Sequence, residues 1–300
     1  MHGRIRSWGP GLLVLSPTIG LIGYFVYGLI GATVNTSLTD QHTARRGEHA
    51  YVGLSNYAKL FGEDRFNNSL KNLGVLTLAF IVGTLFFGVL WALLLEKGVR
   101  GEGVFRSVFL FPMAISMIAS GVVWGWLMNP SQGDDARGIN RLFGILGLDF
   151  AQNSWWVSGN RWGTMVSIAI PAMWQLSGYI MALFLAGFRG IPPELREAAR
   201  VDGASEFKLY RHVLFPQLSP IALSALIILG HMSLKLFDLI YAIAGPSQFR
   251  TEVPSVYMWN TLLRNDMAKA SAIAIVLLVV VAVLVVPYVA YTVRQESHDR

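Results

Sequence analysis

The chain has 300 residues, 53% of them hydrophobic and only 14% charged, with a mean hydropathy of +0.48. Soluble domains carry about 25% charged residues, so this composition excludes an ordinary globular enzyme and points to an all-α integral membrane protein. The formal net charge of +6 does not imply nucleic acid, because the basic residues are spread among loops with acids between them, and the absence of cysteine removes disulfide and thiolate chemistry.

Charge-free runs cover residues 7–39, 72–95, 107–133, 162–188, 212–234 and 270–293. Each reaches the roughly 20 residues that cross a hydrocarbon layer, which predicts a single membrane domain, 1–300, with spans at about 10–36, 72–95, 107–128, 163–188, 217–240 and 269–293. The first run exceeds the apolar core of a signal peptide and no small-residue cleavage site follows it, so it reads as a retained anchor. Segments 40–71 and 129–161 are expected to face outward. Total Lys and Arg counts do not orient the chain, but the short N-terminal tail holds Arg4 and Arg6. The short loop Glu96–Arg106 holds Lys97, Arg100 and Arg106. Positive-inside preference then puts both termini and the loop at 189–216 in the cytoplasm.

That loop is the most distinctive stretch, RGIPPELREAARVDGASEFKLYRHVLFPQLSP over residues 189–220. Pro192, Pro193 and Glu194 suit a helix start, where orphan donors and the dipole favour proline and acid. Gly203 supplies a stop, Ser205 caps a second helix to about Phe215, and Pro216 is expected to end it. The pattern predicts a helix–Gly–helix elbow in water.

Polar groups inside spans are costly in lipid and should face the bundle or a cavity. Candidates are Ser116 and Ser120, then Gln175, Ser177 and Tyr179, then His231, Ser233, Lys235 and Asp238. Gln175 and Tyr179 are four apart and share a helix face. Lys235 and Asp238, at i and i+3, are either a hydrogen-bonding pair on a transport path, a self-neutralising pair joining helices, or groups near the outer interface. Prolines 112, 171, 220 and 287 are expected to kink helices, as pivots or passive bends. No phosphate-binding loop, HExxH or catalytic GxSxG is present, and the histidines lack metal-ligand spacing, so no catalytic residue and no metal is assigned.

EAARVDGASEFKLYRHVLFP, residues 197–216, resembles the EAA loop of binding-protein-dependent ABC transporter permeases, roughly EAAxxDGAxxxxxFxxIxxP. Glu197, Ala198, Ala199, Asp202, Gly203, Ala204 and Pro216 fall in register; Tyr210 stands where the family has Phe, and Val213 where it has Ile. YVGLSNYAKLF (51–61), FRSVFLFPMAIS (105–116) and FDLIYAIAGP (237–246) resemble permeases of maltose- and glycerol-phosphate-type carbohydrate importers, the first resembling the subunit with the VGLxNY signature. The resemblance implies a type I importer permease fold in a bacterial or archaeal inner membrane. The elbow would be a coupling helix seated on a cytoplasmic ATPase, with Glu197 and Asp202 offering carboxylates, Ala198, Ala199 and Ala204 permitting close approach, and Gly203 turning the chain. It implies a second permease, two ATPase subunits carrying ATP and Mg, and an extracytoplasmic sugar-binding protein, with no cofactor on this chain. Sugar-facing positions would be Met113, Met117, Gln175, Leu176, Ser233 and Leu236. TEVPSVYMWNTLLRNDMAKASAIAIVLL (251–278) looks most like permeases for glucose/mannose or α-glucosides, which implies a neutral mono- or disaccharide.

Two other classes compete. An ion-coupled secondary transporter or channel would use His231, Lys235 and Asp238, but the chain shows no inverted repeat and spends its best loop on an apparent docking elbow. A membrane-embedded enzyme would need an acid, a base and a nucleophile on facing spans, and these are missing.

Overall fold

The computed structural model describes residues 14–43, 49–157, 159–246 and 248–298, and among these the regular structure is helical apart from one bridge between Thr39 and Tyr51. Among the described residues four helices are long and apolar enough to cross a membrane: α1 (Val14–Ser37), α3 (Asp64–Glu96), α7 (Arg161–Gly190) and the first part, Met267–Pro287, of α13 (Met267–His298), which follows the shorter α12 (Pro254–Leu263) in the chain. Among the described residues two bent pairs also pass the same length and composition test, which makes six where each pair is one span. The expected start of the first span at residues 10–13 lies outside the described residues.

Contacts divide the chain into two compact units, Met1–Phe66 with Met258–Val279, and Asn67–Tyr257 with Val280–Arg300. In the first unit α1 is exposed along nearly its whole length, as a helix facing lipid or a partner can be. The segment after it folds back through α2 (Ser55–Gly62). There, buried Asn56 donates to the carbonyls of Ser37 and Thr39 at 2.8 Å each, while Lys269 pairs with Glu63 at 2.6 Å and His42 with Asp266 at 2.9 Å.

In the second unit α7 is the central helix. Asn160 accepts from the Gly163 N–H at 2.8 Å and caps it, and Met165, Ile168, Ala172, Leu176, Ile180, Phe184 and Phe188 recur at three- and four-residue spacing as buried side chains. A Cβ at Gly178 would lie 1.9 Å from the Phe109 carbonyl oxygen, so glycine is what lets helix α4 (Glu102–Leu110) press its backbone onto α7. Helix α5 (Met117–Leu127) also packs closely on α11 (Phe237–Ala244), where a Cβ on Gly121 would meet Ala242 Cβ at 2.6 Å. The segment holding α6 (Gly138–Ile145) is organised by Asn140. Its fully buried amide donates to the carbonyls of Asn129, Ser131 and Asn153 and accepts from the Asn153 N–H and Trp155 Nε1.

Two expected spans are not single helices. The third, 107–128, bends by 98° between Glu102–Ala114 and α5. Pro112 lies in a 3-10 turn, Phe111–Ala114, Ile115 is extended, and Ser116 starts α5 afresh by accepting the Ala119 N–H at 3.2 Å. The fifth, 217–240, consists of α10 (Ser219–Ser233), a turn at 234–236, and α11. It is bent by 65° from the preceding helix, α9 (Glu206–Gln217), with Pro220 in the first turn of α10. Pro171 and Pro287 lie inside α7 and α13 without breaking them. Pro216 does not end its helix. It follows a π-helical turn, Tyr210–Leu214, and lies in the first turn of the next piece, where proline's missing N–H is tolerated, so the chain turns two residues later at Leu218.

Candidate functional site

The elbow is a short helix α8 (Pro193–Val201), a tight turn, and α9. Glu194 occupies the first turn of α8 and Arg200 the last, each complementing the helix dipole. Gly203 has φ +76°, a left-handed conformation that glycine adopts without a Cβ penalty. Its N–H donates to the Arg200 carbonyl at 3.0 Å, and the Ala204 N–H to the Ala199 carbonyl at 2.9 Å, satisfying the last carbonyls of α8. The Ser205 hydroxyl oxygen accepts from the Lys208 N–H and opens α9.

One carboxylate ties this elbow to the membrane helices. Glu96, the last residue of α3, accepts from an Arg196 Nη on α8 and from the Tyr210 hydroxyl on α9. The other Arg196 Nη donates to the Phe188 carbonyl near the end of α7 at 2.8 Å. The Glu96 side chain is 6% exposed and that of Arg196 20%. Tyr210 thus has its hydroxyl satisfied by an anion while its ring packs edge-on against Phe188, centroids 6.1 Å apart. Burial, and then the hydrogen bond to Glu96 with its negative charge, push the Tyr210 hydroxyl pKa up to about 12, so it remains a donor. Beside this knot, Glu102 pairs with Arg189 at 2.7 Å and with Arg106 at 2.8 Å.

These pairings leave the outer side of the elbow unspent. Arg196 goes to Glu96 and Arg200 to Glu206 at 3.1 Å, so neither neutralises Glu197. Among the described residues the Glu197 and Asp202 carboxylates have no partner, and both residues are exposed, as are Ala198 and Gly203; Ala199 and Ala204 are half-buried. Leu195 is 39% exposed, Val201 87% and Phe207 71%, so the elbow also leaves large apolar side chains in the open.

The intramembrane candidates separate. Gln175 and Leu176 are buried in α7, and the Gln175 amide donates to the Ile115 carbonyl at the 98° bend while its Oε1 has no partner among the described residues. Ser233 is buried, accepting from Thr77 Oγ1 at 2.9 Å and donating to the Gly230 carbonyl at 2.7 Å, and Leu236 is buried nearby. Met117 and Tyr179 are half-buried, whereas Met113, Lys235 and Asp238 are exposed. Lys235 lies in the 234–236 turn and Asp238 in the first turn of α11, so the two do not share one helix and make no ion pair; the turn resets the helical phase on which their i, i+3 spacing depended.

Sequence reasoning passed over Glu96. The available signal was a carboxylate at the C-terminal end of a long helix, where the dipole disfavours it unless a cation compensates.

Several helices long and apolar enough to cross a membrane, with a polar elbow between two of the apolar segments, define a multi-span membrane protein. The chain belongs to the binding-protein-dependent transport system inner membrane component family, whose model matches residues 84–296. It is similar to a probable ABC transporter permease protein of Pyrococcus horikoshii, at 37% identity over 95% of this chain and 96% of that one. It is also similar to the xylose/arabinose import permease protein XacH of Haloferax volcanii, at 31% identity over 92% and 85%. In fold it resembles a chain of the crystal structure of a bacterial alginate ABC transporter in complex with an alginate pentasaccharide-bound periplasmic protein, with TM-score 0.76, 22% identity and 95% of each chain covered. The chain is therefore a multi-pass inner-membrane permease component of the ABC importer fold.

Proposed function

We propose that the chain is the transmembrane permease subunit of an ATP-driven sugar importer, with its α8–α9 elbow as the docking piece for a cytoplasmic ATPase. The observation that carries this is the combination of a fixed inner side, knotted at Glu96, with exposed Leu195, Val201 and Phe207 on the same short elbow as unpaired Glu197 and Asp202. The exposed apolar side chains offer area to a partner, and the two carboxylates suit charge-assisted bonds to Arg or Lys of the ATPase. A load on the elbow is delivered through Arg196 to Glu96 on α3 and to the Phe188 carbonyl on α7, so both membrane helices move with it.

The partners are a second permease subunit, two ATPase subunits that hold ATP and Mg, and an extracytoplasmic sugar-binding protein; both termini lie in the cytoplasm. Sugar as cargo rests on the relative that is a xylose/arabinose import permease protein, and the substrate is a neutral mono- or disaccharide of the glucose/mannose or α-glucoside kind. Met113, Lys235 and Asp238, exposed on this subunit alone, are the path residues available to the second permease or the passing sugar.

Co-purification tests the elbow. Native chain expressed with its transporter partners should retain the ATPase through affinity purification, and Val201→Glu with Phe207→Glu should lose it while remaining inserted in the membrane. Retention of the ATPase by the double variant would remove the elbow from the interface.

A further inference from the structure

A cationic cleft lies across the membrane from the elbow. It is lined by Asn68 and Asn72 on α3, Arg161 and Thr164 at the start of α7, and Phe249 and Arg250 of the loop after α11, with a volume of about 290 Å³. From Asn72 to Glu96 along α3 is about 36 Å at 1.5 Å per residue, more than a hydrocarbon layer of about 30 Å, so the cleft opens on the face opposite the docking elbow.

The cleft is built for an anion and holds none of its own. Arg161 donates Nε to Asn72 Oδ1 and Nη2 to Asn68 Oδ1, both at 3.0 Å, while Arg250 donates to the Gly159 carbonyl at 2.9 Å. All these acceptors are neutral. Among the described residues neither guanidinium makes an ion pair and no acid lines the cleft. Asn72 donates to the carbonyls of Arg250 and Glu252 at 3.1 and 2.9 Å, which fixes the Arg250 loop against α3. The positive end of the α7 dipole adds to the two cations. A second observation is independent of charge: Thr164, 1% exposed, lines the cleft with a buried Oγ1 that has no hydrogen-bond partner among the described residues. A buried hydroxyl left unmatched is destabilising, and a carboxylate entering between the two arginines is an acceptor for it.

We propose that this cleft takes one aspartate or glutamate side chain of the extracytoplasmic binding protein. Two guanidinium groups and a spare hydroxyl donor, with no acid among the lining residues, suit a single carboxylate. Phe249 at its rim is 60% exposed, giving the pairing of aromatic and arginine that anchors protein interfaces. This inference rests on the importer reading and adds to it the residues and the chemistry of docking on the outer face.

The chain contains no cysteine, so Arg250→Cys creates a unique thiol on which charge can be restored. Affinity of the transporter's sugar-loaded binding protein for the complex in lipid nanodiscs should fall about tenfold in Arg250→Cys at low salt. It should recover after reaction with an ethylammonium thiosulfonate and stay low after a sulfonate-bearing one. A thiol whose two adducts act alike, or a variant that binds as the native complex does, overturns the proposal while leaving the importer reading intact. Unchanged affinity with impaired uptake would assign the cleft to the cargo and overturn docking there. A native complex that binds no binding protein would overturn the importer reading as well.

Discussion

Replacing Glu96 by Gln keeps the shape of the side chain and removes its charge. In the structure this carboxylate is 6% exposed and serves two donors, while Arg196 is 20% exposed and keeps its second bond to the Phe188 carbonyl. Removing one partner of a buried ion pair costs about 3–5 kcal/mol, and partial exposure of the arginine with a surviving acceptor brings this to about 2–3 kcal/mol. Tyr210→Phe removes only the hydroxyl, a bond to a charged acceptor worth about 1.5–3 kcal/mol, with smaller desolvation consequences. The order of loss is therefore Glu96→Gln first and Tyr210→Phe second. Thermal unfolding of the purified subunit should show a fall of about 5 °C or more for Glu96→Gln. A cycle of Glu96→Gln with Arg196→Met should give a coupling energy of about 2 kcal/mol. Hydrogen exchange should rise across 193–217 rather than throughout the chain. Additivity within about 0.5 kcal/mol, or a native exchange pattern at the elbow, would refute the knot.

Gly203→Ala should cost about 1–2 kcal/mol and Gly203→Asn less, because space around the position is open and only the left-handed backbone resists a side chain; thermal unfolding of both variants measures this. Gly203→Pro cannot adopt φ +76° and should leave the chain in the membrane while separating ATP hydrolysis from uptake. The raised Tyr210 pKa has a definite sign. Its stabilising share is complete below the ordinary tyrosine pKa of about 10 and is lost as pH rises through about 12, so tyrosinate absorbance of Tyr210 should appear only at the top of that window, and earlier in Glu96→Gln. Reversing Lys235 or Asp238 singly should change stability by no more than about 0.5 kcal/mol, and reversing both should show no mutual rescue, since the two make no ion pair; rescue on double reversal would count against the turn at 234–236.

The elbow was legible because its signals are local. Pro193, the stop at Gly203 and the Ser205 cap each act within four residues, and the structure places α8, the left-handed turn and α9 on them. The membrane class was legible from composition. The bends were not, because an apolar run reports that a segment avoids water and says nothing of its direction: Pro112 and Pro220 coincide with breaks while Pro171 and Pro287 lie in unbroken helices. The Lys235–Asp238 spacing misled for the same reason, since i, i+3 means adjacency only on an uninterrupted helix. Pairings across long stretches of chain, Glu96 with Arg196 or Arg161 with Asn72, leave no local trace.

Uptake by proteoliposomes containing the purified complex tests the central claim most directly. Labelled sugar should enter only with ATP present on the ATPase side and the loaded binding protein on the other, and Glu96→Gln should lower the sugar moved per ATP hydrolysed. Sugar accumulation by this chain alone, driven by an ion gradient with no ATPase present, would contradict it.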